Sequence, residues 1–391
     1  MLLVQKPKKS YLIESEFSFL LACLNREDLF RQQYGSDIQI SNEFDWPYFL
    51  RLARFHKVVP LIYQRLKNAG ENQVPSYVLS TLRQQSCAIA LKNSFHTQEL
   101  IQVLDMFARY QIPVIPFKGP TLTQMVYGNM GMRPFCDLDL WVRKQDFDTS
   151  LKLLIDAGYQ SPYLRQTWRR SMFLRWINSF HCGVMAHELP LGRKHQDHHL
   201  FIDLHRQISK YFQFSFDEIL RRSKPITLQG DTVMSLEAED SLLIMCVHGS
   251  QDGWNKLQSI CDVAFILKSH PQLNINEVVF RSKEAYCTRR LLLGLSLTAE
   301  FFEIHLPAEV NQLISQDRGL LLLINNVLTR LAQQPGQNRT WQGKLQVLFM
   351  KLGMLERFVD RSKFLLNFVW SFFIAKCHQI TKPDHAVSKV V

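Results

Sequence analysis

The chain has 391 residues, 46% of them hydrophobic and 21% charged, which excludes a disordered chain and exceeds what one core usually serves. An excess of 46 basic over 35 acidic side chains leaves +11, which favours polyanionic partners such as nucleotides, nucleic acid or an anionic membrane. The eight cysteines are scattered with no C-x-x-C pair, which argues against a zinc ribbon and reads as free thiols in a reducing cytoplasm.

The first residues lack an apolar run followed by a small-residue cleavage site, so no signal peptide is expected. Residues 10–70 read as helical, with Leu20, Leu21, Leu24 and Leu29 on one stripe, and Asp45 as N-cap of a helix that carries Pro47 in its first turn. Tyr77 to Tyr110 reads as one long helix, stopped by Pro113. Val114 to Phe117 is a short strand ending at Lys118-Gly119; Pro116 cannot donate to a ladder, so this strand belongs at a sheet edge or leaves the sheet there. Helical turns over Thr121 to Tyr127 lead to a turn at Gly128, Asn129 and Gly131. Asp137 to Val142 alternates acid with apolar residues as a strand does, and Phe147 to Ala157 reads as a helix closed by Gly158. Leu200 to His205 is a second such strand, with Asp203 and His205 on one face. After Asp231 the pattern is helical, with Trp254, Leu257, Cys261, Ala264 and Phe265 on one helical face. The organisation predicted is a helical section over 1–110, a mixed core over 111–230 and a helical section over 231–391.

Two aspartates one residue apart on a strand point the same way, so Asp137 and Asp139 share a face. A second strand can bring Asp203 beside them. Three converging carboxylates repel one another and call for hard cations, typically Mg²⁺. Two such ions about 3.5–4 Å apart serve in-line phosphoryl or nucleotidyl displacement. On this view, Asp139→Asn relieves repulsion and leaves stability similar or higher.

The pattern F-K-G-P-x-L, Y-G-x-x-G-x-R-P-x-x-D-L-D-L-W-V, D-A-G-Y and I-D-L-H-R resembles the uncharacterised nucleotidyltransferase family of the DNA polymerase β nucleotidyltransferase superfamily. Segments 45–66 and 237–267 resemble it too. The resemblance implies an α+β fold, a mixed-sheet nucleotidyltransferase core flanked by N- and C-terminal helical sections. It implies Asp137, Asp139 and Asp203 as catalytic, metal-binding carboxylates for two Mg²⁺ ions. It places Lys118-Gly119 where the superfamily has Gly-Ser, so that Gly119 admits the triphosphate and Lys118 and Arg133 supply cations to it. The implied substrate is a nucleoside triphosphate, with ATP the expected donor. The acceptor hydroxyl is left open among a small molecule, a sugar, a peptide, a protein or an RNA end. In the back section His248, Trp254 and Asp262 resemble family positions.

Two other readings stand beside this one: a non-catalytic nucleotide-binding or scaffold protein that keeps the fold, and a nucleic-acid-binding module driven by the charge. Arg165, Arg169, Arg170 and Arg175 suit an acceptor or nucleic acid as well as a solvated basic face. The run 195–199, with three histidines, reads as a polar loop. The apolar segment 364–375 is short of the roughly 20 residues a spanning helix needs, and reads as a buried helix or a peripheral membrane contact. No P-loop, G-x-G-x-x-G, G-x-S-x-G or H-E-x-x-H is present, which excludes the chemistries those motifs carry.

Overall fold

The computed structural model describes residues 16–25, 40, 43–68, 73–161, 187–195, 198–331, 341–366 and 368. Leu29, the four arginines at 165–175, residues 196–197 and most of 364–375 lie outside them.

The front section is helical, as the sequence predicts: α1 (Glu16–Leu24), α2 (Trp46–Phe55), α3 (Val59–Leu66) and α4 (Ser76–Arg109). Asp45 caps α2 by accepting the Tyr48 N–H at 2.8 Å, and its own N–H donates to Glu16 at 2.9 Å, fastening α1 to α2. The 34 residues of α4 make it the longest rod among the described residues.

Next come β1 (Val114–Pro116), α5 (Gly119–Tyr127), β2 (Leu138–Val142), α6 (Phe147–Asp156), β3 (Glu188–His195) and β4 (His198–His205). The strands form one sheet in the order β1-β2-β4-β3, so β1 is at the edge, as Pro116 requires. β2 and β4 run parallel, and β1 and β3 pair antiparallel to them. The parallel pair has the register Leu138 to Ile202, Asp139 to Asp203, Leu140 to Leu204 and Trp141 to His205.

Alternation divides the sheet into two faces. Leu138, Leu140, Val142, Ile202 and Leu204 join Leu100, Val103 and Phe107 of α4 and Leu154 of α6 in one core. Ile115, Phe117 and Trp141 join the helices of the back section in the other. Asp139, Asp203 and His205 alternate with the first set, so they face the back section.

α7 (Phe216–Arg222) precedes a hairpin of β5 (Lys224–Leu228) and β6 (Asp231–Ser235). Here the structure corrects the reading of helix from Asp231 onward. The two-residue turn has positive φ at both Gln229 (51°) and Gly230 (98°), the twist that suits a tight hairpin. Helix resumes with α8 (Ala238–Gln251), α9 (Leu257–Ser269), α10 (Ile275–Glu284), α11 (Thr288–Phe302), α12 (Ala308–Gln316), α13 (Arg318–Leu331) and α14 (Trp341–Gly353). Among the described residues, no helix is long and apolar enough to cross a membrane, and Cys23, Cys87, Cys136, Cys246, Cys261 and Cys287 are free thiols.

Trp254 is not part of a helical face: it sits in the α8–α9 turn at φ 51° and is fully buried. Glycines make room for its indole. A Cβ on Gly249 would stand 2.6 Å from the Trp254 ring, and one on Gly294 would meet Cys246 Sγ at 2.5 Å. Gly249→Ala or Gly294→Ala is therefore expected to lower stability by about 1–3 kcal/mol through overpacking. Thermal unfolding of either variant at wild-type temperature would show that the Trp254 pocket is not tight.

Candidate active site

The turn from β1 into α5 builds the first half of the site. Lys118 is the N-cap of α5 in extended backbone and makes no side-chain cap hydrogen bond, which leaves its amine to reach elsewhere. Gly119 follows at φ +59°, where a side chain is strained, and a Cβ there would lie 3.4 Å from the Asp137 carbonyl oxygen. The turn can thus run close against the start of β2. The Thr121 hydroxyl tightens it by donating to the Pro116 or Lys118 carbonyl, at 3.1 and 3.0 Å.

The sheet supplies the second half. Asp139 and Asp203 are cross-strand partners in parallel strands, so their side chains emerge abreast on one face, with backbones about 4.8 Å apart. Asp137 comes just before the strand and is half-buried. Asp139 is buried, and its Oδ1 lies 2.9 Å from Lys118 Nζ and 3.1 Å from His205 Nε2. Burial alone would raise the Asp139 carboxyl, but the Lys118 ammonium and the His205 hydrogen bond hold it well below the usual carboxylate range. Among the described residues, Asp203 has no such cation. Burial, reinforced by the charges of Asp139 and Asp137, pushes its carboxyl up to about 6.

The network extends at its two ends to two further carboxylates, Glu188 and Asp252. His205 is buried against Asp139 rather than serving Asp203, and its Nδ1 lies 3.5 Å from Glu188. His248, from α8, is pushed down to about 3 by burial and by Lys118. The neutral imidazole accepts from the Lys118 ammonium at Nδ1 (3.3 Å), and its Nε2 lies 3.3 Å from the Asp252 carboxylate. Lys118 thus joins sheet and back section through one amine.

Arg133 has a different partner from the expected phosphate. Its buried guanidinium grips Asp262 of α9 with two bonds, Nε to Oδ1 at 2.8 Å and an Nη to Oδ2 at 2.9 Å, and the Tyr127 hydroxyl donates to the same Oδ1 at 2.8 Å. Asn93 Nδ2 donates to the Met130 and Arg133 carbonyls, and Gln258 Nε2 to the Pro134 carbonyl. These bonds fix the loop that delivers Asp137 and Asp139. Neither amide is legible in the sequence, because each is one polar residue on a helix whose partner is remote backbone.

Among the described residues, no three His, Cys, Asp or Glu side chains are placed to hold a metal ion. The donor set nonetheless has the chemistry hard cations select: carboxylates abreast, one starved of positive charge, and an ammonium on Asp139 standing where a cation would neutralise it. A divalent ion fits these residues provided Lys118 leaves Asp139.

The two abreast carboxylates are expected to respond oppositely to neutralisation. Asp139 is depressed, so its contribution is present above the unfolded value of 3.8 and is lost as pH falls. Asp139→Asn strands a buried Lys118 and should cost roughly 3 kcal/mol at neutral pH, contrary to the stabilisation that repulsion alone suggests. Asp203 is raised from 3.8 to about 6, so its ionisation costs stability as pH rises through that window. Asp203→Asn should therefore raise stability at pH 8 by on the order of 1–2 kcal/mol after allowing for partial exposure, with a higher melting temperature, and do little at pH 4. Equal effects of the two variants in a pH series of melting curves would contradict this geometry.

A family model described as an uncharacterised nucleotidyltransferase matches residues 42–303. No curated protein and no solved structure matches the chain. The matched stretch is more than half of the 391 residues and takes in the Lys118 turn, both carboxylate strands, and the helices that bring His248 and Asp262. The chain accordingly belongs to the uncharacterised nucleotidyltransferase family.

Proposed function

We propose that the protein transfers a nucleoside monophosphate from a nucleoside triphosphate, ATP in this reading, to an acceptor hydroxyl. The observation that supports it is the in-register pairing of Asp139 with Asp203 on parallel strands, beside the Lys118-Gly119 turn. Asp137, Asp139 and Asp203 are the groups that would hold Mg²⁺, which when bound neutralises triphosphate charge and makes an acceptor hydroxyl more acidic.

The protein's own groups have separable tasks. Gly119 admits a phosphate close to the backbone at the start of α5, where the helix dipole favours an anion. Lys118, freed from Asp139, offers its ammonium to the phosphates. His205 holds Asp139 in place from the neighbouring strand. Asp203, with a carboxyl near 6, is suited to take the acceptor hydroxyl's proton close to neutrality. Among the described residues all six cysteines are free thiols, which suits a cytoplasmic setting.

A second reading, a nucleotide-binding scaffold without turnover, is favoured by one observation: the 2.9 Å bond that ties Lys118 to Asp139 and blocks that carboxylate. Release of pyrophosphate from ATP and MgCl₂, followed across small-molecule, sugar, peptide, protein and RNA acceptors, separates the two. Turnover is expected to fall at least ~100-fold in Asp137→Asn, Asp139→Asn and Asp203→Asn. Full activity in any of them refutes the assignment, and ATP binding without turnover across the panel favours the scaffold.

A further inference from the structure

The mouth of the site is basic, and its cations come from separate parts of the chain. Asp252, the C-cap of α8, is exposed and lies 3.3 Å from His248, which carries Lys118 on its other nitrogen. Residues 253–256, which follow, run between two neighbours.

On one side is the corner between α2 and α3. The His56 carbonyl accepts the Gln258 N–H at 3.2 Å, and His56 Nδ1 accepts the Leu257 N–H at 3.3 Å. That seats Lys57, in the left-handed region at φ 58°, close to Lys256, whose Nζ is 3.1 Å from the Phe55 ring centroid. On the other side is α14. Arg330 donates to the Gly253 carbonyl at 3.3 Å and reaches Met350 Sδ at the same distance, and a Cβ on Gly253 would come within 2.7 Å of Met350. Lys351 is the next residue of α14.

Among the described residues, Lys57, Lys256 and Lys351 form no salt bridge to a carboxylate. Burial pushes Lys256 down to about 8, with Lys57 adding to the effect, and lowers Lys351. Partial desolvation by its surroundings raises the Asp252 carboxyl, while Lys118, Lys351 and Lys57 pull it the other way. One exposed carboxylate therefore faces lysines from the front section, the core and α14.

We infer that Lys57, Lys256 and Lys351 form a polyphosphate-binding rim, which takes the terminal phosphates of a triphosphate whose reacting end lies at Lys118 and the carboxylates. This rests on the nucleotidyl-transfer reading. A polyphosphate carries several charges on a flexible chain, and spaced ammonium groups on flexible stems match it better than one bidentate arginine would. Asp252 has the same sign as the ligand and competes with it. Its removal should therefore help binding, which no general loss of folding could imitate.

The test is calorimetric titration of the full chain with sodium tripolyphosphate at low ionic strength, followed by displacement with MgATP or AMP. Lys57→Gln and Lys351→Gln are expected to weaken binding roughly fivefold each, and Asp252→Asn to tighten it by a similar factor. MgATP should displace the probe and AMP should not. Unchanged affinity in all three variants overturns the rim and leaves the reading of the carboxylates intact. The expected variant pattern without displacement by MgATP supports a site for free polyphosphate and overturns its assignment to the nucleotide tail.

Discussion

The ion pair between Lys118 and Asp139 is the constraint around which the rest of the site is arranged. Asp139 is buried and Lys118 nearly so, and either charge alone in that setting would be strongly unfavourable. The pair ties the β1–α5 turn to the face of β2, and through His248 it reaches α8. A chain of polar contacts then runs from Glu188 past His205 to Asp139, Lys118, His248 and Asp252. The arrangement is stable without a ligand, yet the cation at its centre is a side chain on a flexible stem. The proposed reaction needs that ammonium to move from Asp139 to a phosphate, which a lysine allows, whereas a bidentate arginine such as Arg133 on Asp262 is built to stay.

Parallel pairing of β2 with β4 does the rest. An antiparallel arrangement would set its own register through a short turn; the parallel one needs a long connection, here residues 143–197, and packing on both faces to hold it. Leu138, Leu140, Ile202 and Leu204 lock the register against α4 and α6. A slip by one residue would bury Asp139 and Asp203 in that apolar core, so hydrophobic burial on one face positions the acids on the other. Asp203 then experiences its neighbours' charge without a cation of its own, which is the condition that raises its carboxyl.

Features governed by local chemistry were legible in the sequence. The Asp45 cap with Pro47, the edge position of β1 from Pro116, the closing glycine after α5 and the acid-apolar alternation of both carboxylate strands all follow from one or two residues. The Lys118-Gly119 turn was found through resemblance, and its backbone angle explains the glycine. What stayed hidden depends on remote partners. Arg133 was assigned to the triphosphate because its actual partner, Asp262, is on a helix far along the chain. His205 gave no sign that it would meet Asp139 rather than Asp203. The strand at Asp231 was missed because alternation over five residues is easily taken for the start of the helix that follows. Lys57 and Lys351 carry no motif, and only packing against residues 253–258 brings them near the site.

The most direct test of the central claim is a crystal structure with Mg²⁺ and a non-hydrolysable ATP analogue. Nucleotidyl transfer requires the carboxylates of Asp137, Asp139 and Asp203 to gather on metal, with Lys118 withdrawn from Asp139 onto phosphate and the triphosphate at the start of α5. A nucleotide bound elsewhere, with the Lys118–Asp139 bond intact and residue 203 turned away, would contradict it.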